Sequence, residues 1–335
     1  MKRYNQVRRG ALARHVILKS IAADVSYKSR TDELLLKHHD FLMVRYRKLL
    51  KEGGPLPEKS DLAPSLLDVK IELADRMLKS CRFCERRCGV NRFEKAGACG
   101  CDAVSHVASE FLHNGEESDL IPSHTIFFEG CNFNCAYCQN WSIARLVRGP
   151  VADVDRLAKL IELRHRQGST NVNFVGGDPT PHLATILKIT RAMNANLPVI
   201  WNSNMYMTPE AMKLLDGIVD LYLADFRYGE DDHARRYSGI DYYWLITTQN
   251  FTEAKKQADV LVRLLVLPGH VECCAGPIMR WCAENLGEDV RFNLMFQYHP
   301  EYQAGKFPEI NRGLTAAEVA RARELAKKAG LKNLV

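Results

Sequence analysis

Three cysteines in one short stretch, Cys131-Asn-Phe-Asn-Cys135-Ala-Tyr-Cys138, are the residues best suited to do chemistry in this chain. Their C-x3-C-x2-C spacing lets three thiolates of one loop ligate three irons of a four-iron cluster. Ordinary clusters of that size take four cysteines. A three-cysteine loop therefore leaves one iron open to a substrate atom. A zinc knuckle with a distant fourth ligand is the other reading of the spacing. The loop's place after the first strand of a strand–helix series favours the cluster.

Upstream, Cys81, Cys84, Cys88 and Cys99 have a spacing that closes a tetrahedral metal site. Thiolates suit both zinc and a second iron–sulfur cluster, and reduced structural thiols are the plainer alternative. Cys101 is a further thiol that leaves the fourth ligand open. Cys273 and Cys274 follow the fifth predicted strand, where they could donate hydrogen, bind metal or stand as exposed thiols. Cys282, beside Trp281 on a predicted helix, reads as core packing. The chain has 11 cysteines, clustered rather than scattered, and no export pattern precedes them. That combination points to metal ligation in a reducing compartment rather than to disulfides.

The elements that must position these residues are legible from hydrophobic pattern. Residues 1–80 read as a helical N-terminal extension, broken by Gly53, Gly54, Pro55 and Pro57 between Leu50 and Leu66. Residues 81–122 form a cysteine- and glycine-rich segment with little periodicity. From 123 to 335 short apolar runs alternate with amphipathic stretches. Six strands are expected at Thr125–Glu129, Asn171–Val175, Pro198–Asn202, Leu221–Asp225, Leu261–Leu267 and Arg291–Phe296. Helices are expected at Val154–Arg166 and Pro181–Met193, and after a Thr315/Glu318 capping box. Six parallel units make an α/β fold, a partial (β/α)6 barrel. Chemistry in such barrels sits at the C-terminal ends of strands.

Polar groups do follow those strands. Gly176-Gly177-Asp178-Pro179 follows the second, and the glycine pair allows close backbone approach to a ligand. Asn202-Ser203-Asn204 follows the third and Asp225-Phe226-Arg227 the fourth. Arg263 lies inside an apolar strand, so it is expected to point into the barrel toward a ligand carboxylate or an acidic partner. Gln297-Tyr298-His299 closes the last strand, at the mouth or in a simple loop.

The cluster loop resembles the signature of the radical S-adenosylmethionine (SAM) superfamily. The resemblance implies a barrel of that type, with SAM bound through its amino and carboxylate groups to the open iron and cleaved reductively. It implies that Tyr137 packs near the adenine and that Gly176, Gly177 and Asp178 stand for a Gly-Gly-Glu-Pro motif at the methionyl amino group. Asn202, Asn204, Asp225 and Arg263 complete the expected SAM contacts. Asp225 resembles the Asp of an Asp-x-Lys element in glycyl-radical activating enzymes, with Arg227 in place of Lys. From about Cys81 to the C-terminus the chain is similar to relatives of pyruvate formate-lyase activating enzyme that carry an extra cysteine block. The shared features include Cys81-Arg-Phe-Cys84-Glu-Arg-Arg-Cys88, Gly97-Ala-Cys99-Gly100 and Asn293-Leu-Met.

That resemblance implies hydrogen abstraction from a protein or peptide substrate and an external electron donor such as flavodoxin or ferredoxin. The competing reading is a cobalamin-dependent methyltransferase. Asp231-Asp232-His233 begins like a cobalamin motif, but Arg236 stands where glycine is needed. A non-enzymatic iron–sulfur or zinc scaffold is a third class, disfavoured by the strand-end residues. The net charge of +6 does not mark a nucleic-acid binder. The basic stretches Lys2–Arg14 and Arg45–Lys51 read as solvated helix faces, or as surfaces for an acidic partner or RNA. The Arg-rich start faintly resembles a transit peptide. It lacks a secretory pattern, and no apolar run would span a membrane, so the expected location is the cytoplasm.

Overall fold

The computed structural model describes residues 1–53, 55–57 and 63–335. Seven strands form one sheet: β1 (Val107–His113), β2 (Ser123–Phe128), β3 (Val172–Gly176), β4 (Val199–Ser203), β5 (Leu221–Asp225), β6 (Asp259–Leu265) and β7 (Arg291–Met295). They lie in sequence order across the sheet. The six from β2 to β7 run parallel, within a few residues of the positions expected from the sequence. The result is the expected partial (β/α)6 barrel, with β1 added at one edge. Every residue of β4 is buried, as a strand covered on both faces requires.

β1 was not expected. It pairs antiparallel to β2, with a register shift between Val107 and Ser109. Only one of its seven residues is buried, so its sequence mixes polar and apolar groups without a clean period. A bulged edge strand of this kind leaves little pattern to read.

Among the described residues four helices precede the sheet: α1 (Lys2–Arg8), α2 (Arg14–Ser20), α3 (Asp32–Glu52) and α4 (Leu66–Leu78). α3 stops at Gly53, whose φ of 68° suits glycine. Gly54, part of the expected break, lies outside the described residues. Seven helices follow between and after the strands: α5 (Trp141–Arg145), α6 (Val154–Arg166), α7 (Leu183–Ala192), α8 (Pro209–Leu215), α9 (Asp231–Ser238), α10 (Tyr243–Gln257) and α11 (Gly276–Leu286). The last, α12 (Ala316–Lys328), starts at the Thr315/Glu318 capping box. α4 packs on α7, α3 and α2, so the leading helices extend the outer ring of the barrel. Their apolar faces join the same core as the strands.

α1 has a separate task. Its Tyr4 is fully buried with Leu120, Ile200, Leu221, Leu223 and Leu261 in a small apolar cluster at the strands' N-terminal ends. Asn171 Nδ2 donates to the Tyr4 hydroxyl at 2.9 Å, and the Tyr4 amide donates to Asp259 at 2.7 Å. Tyr4 thus plugs the bottom of the barrel. The basic stretches divide. Arg45, Lys48 and Lys51 are exposed as expected. Arg14 instead is buried, donating to the Tyr46 hydroxyl at 3.2 Å with Asp220 at 3.8 Å.

Tyr4→Ala should therefore open a cavity at the barrel floor and cost about 3–5 kcal/mol of stability, as other buried aromatic truncations do. Tyr4→Phe should cost about 1 kcal/mol, the net value of one hydrogen bond. Chemical denaturation of both variants checks this, and an unaltered midpoint for Tyr4→Ala would remove the plug from the account.

Candidate functional site

The three thiols Cys131, Cys135 and Cys138 open onto one cavity of about 340 Å³ at the C-terminal ends of the parallel strands. The same cavity is lined by Tyr137, Gly176, Gly177, Asp178, Asn202, Asn204, Asp225 and Arg263, so the expected site residues of the barrel are brought together. The loop that carries the thiols is held from two sides. Gly130 N donates to Ile143 O at 2.8 Å, and Arg145 from α5 donates to Cys131 O at 2.8 Å. On the other side Asn134 N and Ala136 N donate to the Ser238 and Tyr237 carbonyls of α9 at 3.1 and 2.7 Å. Ser238 Oγ donates to Cys135 Sγ at 3.0 Å, and Phe133 N donates to Cys131 Sγ at 3.4 Å.

These donors aim at sulfur, which is what a ligating thiolate needs. Burial first, and the neighbouring Cys135 after it, push Cys131 well up and Cys138 up to about 11. Both would stay protonated at neutral pH without a cation to compensate their charge. Metal coordination supplies that compensation and removes the proton. Asn132 Nδ2, beside Cys131, is buried with no hydrogen-bond partner in the protein. The donor set and the cavity therefore fit an iron–sulfur cluster.

The glycine pair acts first on the protein itself. A Cβ on Gly176 would meet the Phe128 carbonyl oxygen at 2.0 Å, and one on Gly177 would meet the Gly130 carbonyl oxygen at 2.2 Å. Gly177 N and Asp178 N donate to those same oxygens, at 2.9 and 3.1 Å. The pair lets the loop after β3 lie directly against the cysteine loop. Asp178 is buried and its carboxylate is already engaged. Oδ1 accepts from Thr180 N at 2.9 Å; Oδ2 accepts from Ser203 Oγ at 3.1 Å and Asn204 N at 2.9 Å. Asp178 therefore braces the β3 and β4 loops. Asn204 Nδ2 donates in turn to Asn132 Oδ1 at 2.7 Å, next to Cys131.

Charged residues of the cavity are paired. Arg227 Nη2 and Asp225 Oδ2 lie 2.5 Å apart. Of the two partners expected for Arg263, the structure supplies the acidic one. Arg263 Nε and Nη2 donate to Glu117 at 2.7 and 2.6 Å, and Nη2 also meets Glu116. Asn293 Nδ2 donates to Glu117 at 2.8 Å. Burial pushes Glu117 up, but Arg263 outweighs it and holds the carboxyl below its ordinary range. Glu116 and Glu117 were not expected, because an acidic pair in a loop gives no sign in the sequence of the strand it will face. Tyr137 is buried, with its hydroxyl donating to Tyr228 at 2.7 Å. Behind it sits Tyr298, edge-on at 5.9 Å between ring centres. His299 reaches Gln139 at 3.2 Å on the exposed rim.

The second cysteine block lies behind the cluster loop. Cys131 N donates to Cys99 O at 3.3 Å, and a Cβ on Gly130 would strike Cys101 Sγ at 2.2 Å. Cys88 and Cys99 both flank Gly97, whose Cβ would stand 3.3 and 3.6 Å from their sulfurs. Among these thiols Arg92 is buried to 2% exposure, with Nη1 donating to Cys81 Sγ at 3.7 Å. Cys282 is fully buried in α11, as expected for packing.

Because the Gly177 contact admits no side chain, Gly177→Ala should push the cysteine loop away from β3. Iron retained after anaerobic reconstitution should fall well below wild type while far-ultraviolet circular dichroism stays unchanged. Wild-type iron content in this variant would show that the close approach is dispensable.

The profile of the radical SAM superfamily matches residues 125–282, which include the cysteine loop and the strand ends that line the cavity. An uncharacterized protein of Methanocaldococcus jannaschii is 42% identical over 328 residues, covering 96% of this chain and 95% of the relative. Among solved structures, Streptococcus suis SuiB bound to S-adenosylmethionine aligns with a TM-score of 0.46 at 13% identity, covering 59% of this chain and 44% of that one. SuiB bound to its precursor peptide SuiA aligns with a TM-score of 0.47 at 10% identity, covering 86% and 59%. The chain thus spans 44–59% of the length of the SuiB chains. With the superfamily profile lying across the three-cysteine loop and the strand ends around it, the chain belongs to the radical SAM superfamily.

Proposed function

We propose that this enzyme cleaves SAM at a [4Fe-4S] cluster held by Cys131, Cys135 and Cys138 and abstracts hydrogen from a residue of a protein or peptide, in the manner of an activating enzyme. The observation that carries the reading is the convergence of those three thiols with Asp178, Asn202, Asn204 and Asp225 on one cavity. When bound and reduced by an external donor such as flavodoxin or ferredoxin, the cluster supplies the electron that splits SAM into methionine and a 5′-deoxyadenosyl radical.

The chain's own residues hold and shield that chemistry. Ser238 and the Phe133 amide direct hydrogen bonds at the ligand sulfurs. Asp178 fixes the backbone of the β3 and β4 loops, so that Asn202 and Asn204 face the cavity from a rigid support. Arg263, neutralised by Glu116 and Glu117, walls the far side. The cavity reaches solvent at Gln139 and Asn140, both exposed. Trp141 follows at once and stacks on Tyr302, with ring centres 5.5 Å apart and planes 12° from parallel. An exposed aromatic pair at the rim favours a peptide chain as substrate, since such rings anchor protein interfaces.

The second cysteine block supports an auxiliary iron–sulfur cluster. Buried Arg92 has thiols rather than a carboxylate beside it, which suits anionic, metal-bound sulfur. Among the described residues, no three of Cys81, Cys84, Cys88 and Cys99 bring their sulfurs mutually within 4.8 Å. Ligands of one zinc crowd closer than that, whereas thiolates on separate irons of a cluster stand apart.

The test uses anaerobically reconstituted protein with SAM, reductant and candidate peptides. Wild type should produce 5′-deoxyadenosine. Changing Cys131, Cys135 and Cys138 together to Ala should abolish it while leaving iron at the second site. Wild-type cleavage in that variant would overturn the reading. Stoichiometric S-adenosylhomocysteine with retained cobalamin would replace hydrogen abstraction with methyl transfer.

A further inference from the structure

Three ligand-type side chains gather where the loops after β5 and β6 meet, outside the cavity just described. His233 stands on α9. Cys273 and Cys274 occupy a π-helical turn, Val271–Ala275. One ring nitrogen and two sulfurs there lie within 4.8 Å of one another, the only such trio of His, Cys, Asp or Glu ligand atoms among the described residues. π-helical turns are uncommon and concentrate at functional positions.

The spacing is that of ligands around a single ion. Cys274 Sγ and His233 Nδ1 are 3.5 Å apart. A sulfur at about 2.3 Å and a nitrogen at about 2.0 Å from one zinc stand roughly 3.5 Å apart at the tetrahedral angle. Glu230 Oε2 lies 3.6 Å from the same nitrogen, outside the group that the nitrogen forms with the two sulfurs. The donor set of one imidazole and two thiols suits zinc rather than calcium or magnesium, which prefer oxygen alone.

The backbone is built to hold this geometry. A Cβ on Gly229 would meet Cys273 O at 2.4 Å and Cys274 Cα at 2.8 Å, so the β5 loop and the π-turn touch directly. The His233 ring lies parallel to Tyr237 at 6.1 Å and edge-on to His270 at 4.6 Å.

We propose that His233, Cys273 and Cys274 bind one zinc ion, and that the ion clamps α9 to the turn after β6. α9 carries Tyr237 and Ser238, the residues that hold the cysteine loop at Ala136 and Cys135. The clamp would therefore steady the cluster loop from outside the cavity. It does not depend on which substrate the enzyme takes.

The test is elemental analysis of the full chain, purified anaerobically with zinc present and with its clusters reconstituted. The expected result is one zinc per chain. His233→Ala and the double variant Cys273→Ser/Cys274→Ser should lose the zinc and keep their iron. Zinc content unchanged in both variants would overturn the proposal. If the variants fail to fold, wild-type protein still decides it. Cys273 should resist alkylation, followed by mass spectrometry, and become reactive when a chelator removes the zinc. Cys273 alkylated at the same rate with and without zinc, or found in a disulfide with Cys274, would overturn the proposal equally.

Discussion

The whole site hangs on one close approach of backbone to backbone. The chain leaving β3 must run against the chain leaving β2, and it does so through carbonyl oxygens that leave no room for a Cβ at Gly176 or Gly177. On its other flank the cysteine loop meets Cys101 at Gly130, a position with φ of 87° that also excludes a side chain. Three glycines thus sandwich the loop between β3 and the cysteine-rich segment. Glycine costs conformational entropy on folding. Here it permits amide–carbonyl bonds that fix where the first thiol stands. The remaining contacts to the loop, from Arg145, Ser238 and Tyr237, can act only once that register is set.

Charge burial follows from the same arrangement. A cavity meant for a polar ligand brings ionisable groups into a poorly solvated space, where an unpaired charge is costly. Asp225 and Arg227 pair with each other at the end of β5, and other charged side chains of the cavity have partners from another element. Arg263 on β6 meets Glu116 and Glu117 beyond β1, and Asp178 after β3 takes three donors, one from Thr180 in its own loop and two from Ser203 and Asn204 at the end of β4. Removing one partner of such a set leaves the other buried and uncompensated, which is worth about 3–5 kcal/mol. The pairs therefore serve as cross-braces between strands as much as they set the field inside. Arg92 follows the same rule with sulfur in place of carboxylate.

α9 joins these parts. Its C-terminal residues touch the cysteine loop, and its His233 faces the turn after β6. Ser238 also shares a hydrogen bond with Tyr228, which accepts from Tyr137. One short helix thereby connects the sulfur of Cys135, the aromatic wall behind the cavity and the vicinal cysteines. At the opposite end of the barrel Tyr4 fills the floor, so the leading helices, which carry no recognisable motif, contribute packing where a shorter chain would leave an opening.

Much was legible in the sequence because it was local. The C-x3-C-x2-C spacing sets three thiols in one loop whatever surrounds it. The six parallel strands were readable because burial on both faces makes their apolar runs nearly continuous, and α12 announced itself by its capping box. β1 was not readable, since an edge strand exposed on one face needs no such run. Nor could the sequence say that Arg263 would meet Glu116 and Glu117, that Asp178 would spend its oxygens on the neighbouring loop, or that His233 would come within 3.5 Å of Cys274. These pairs are separated by up to 147 residues, and only the lateral order of strands brings them together. Residue type and short spacing determined which groups could do chemistry; the parallel sheet, by stacking distant strand ends side by side, decided which of them meet.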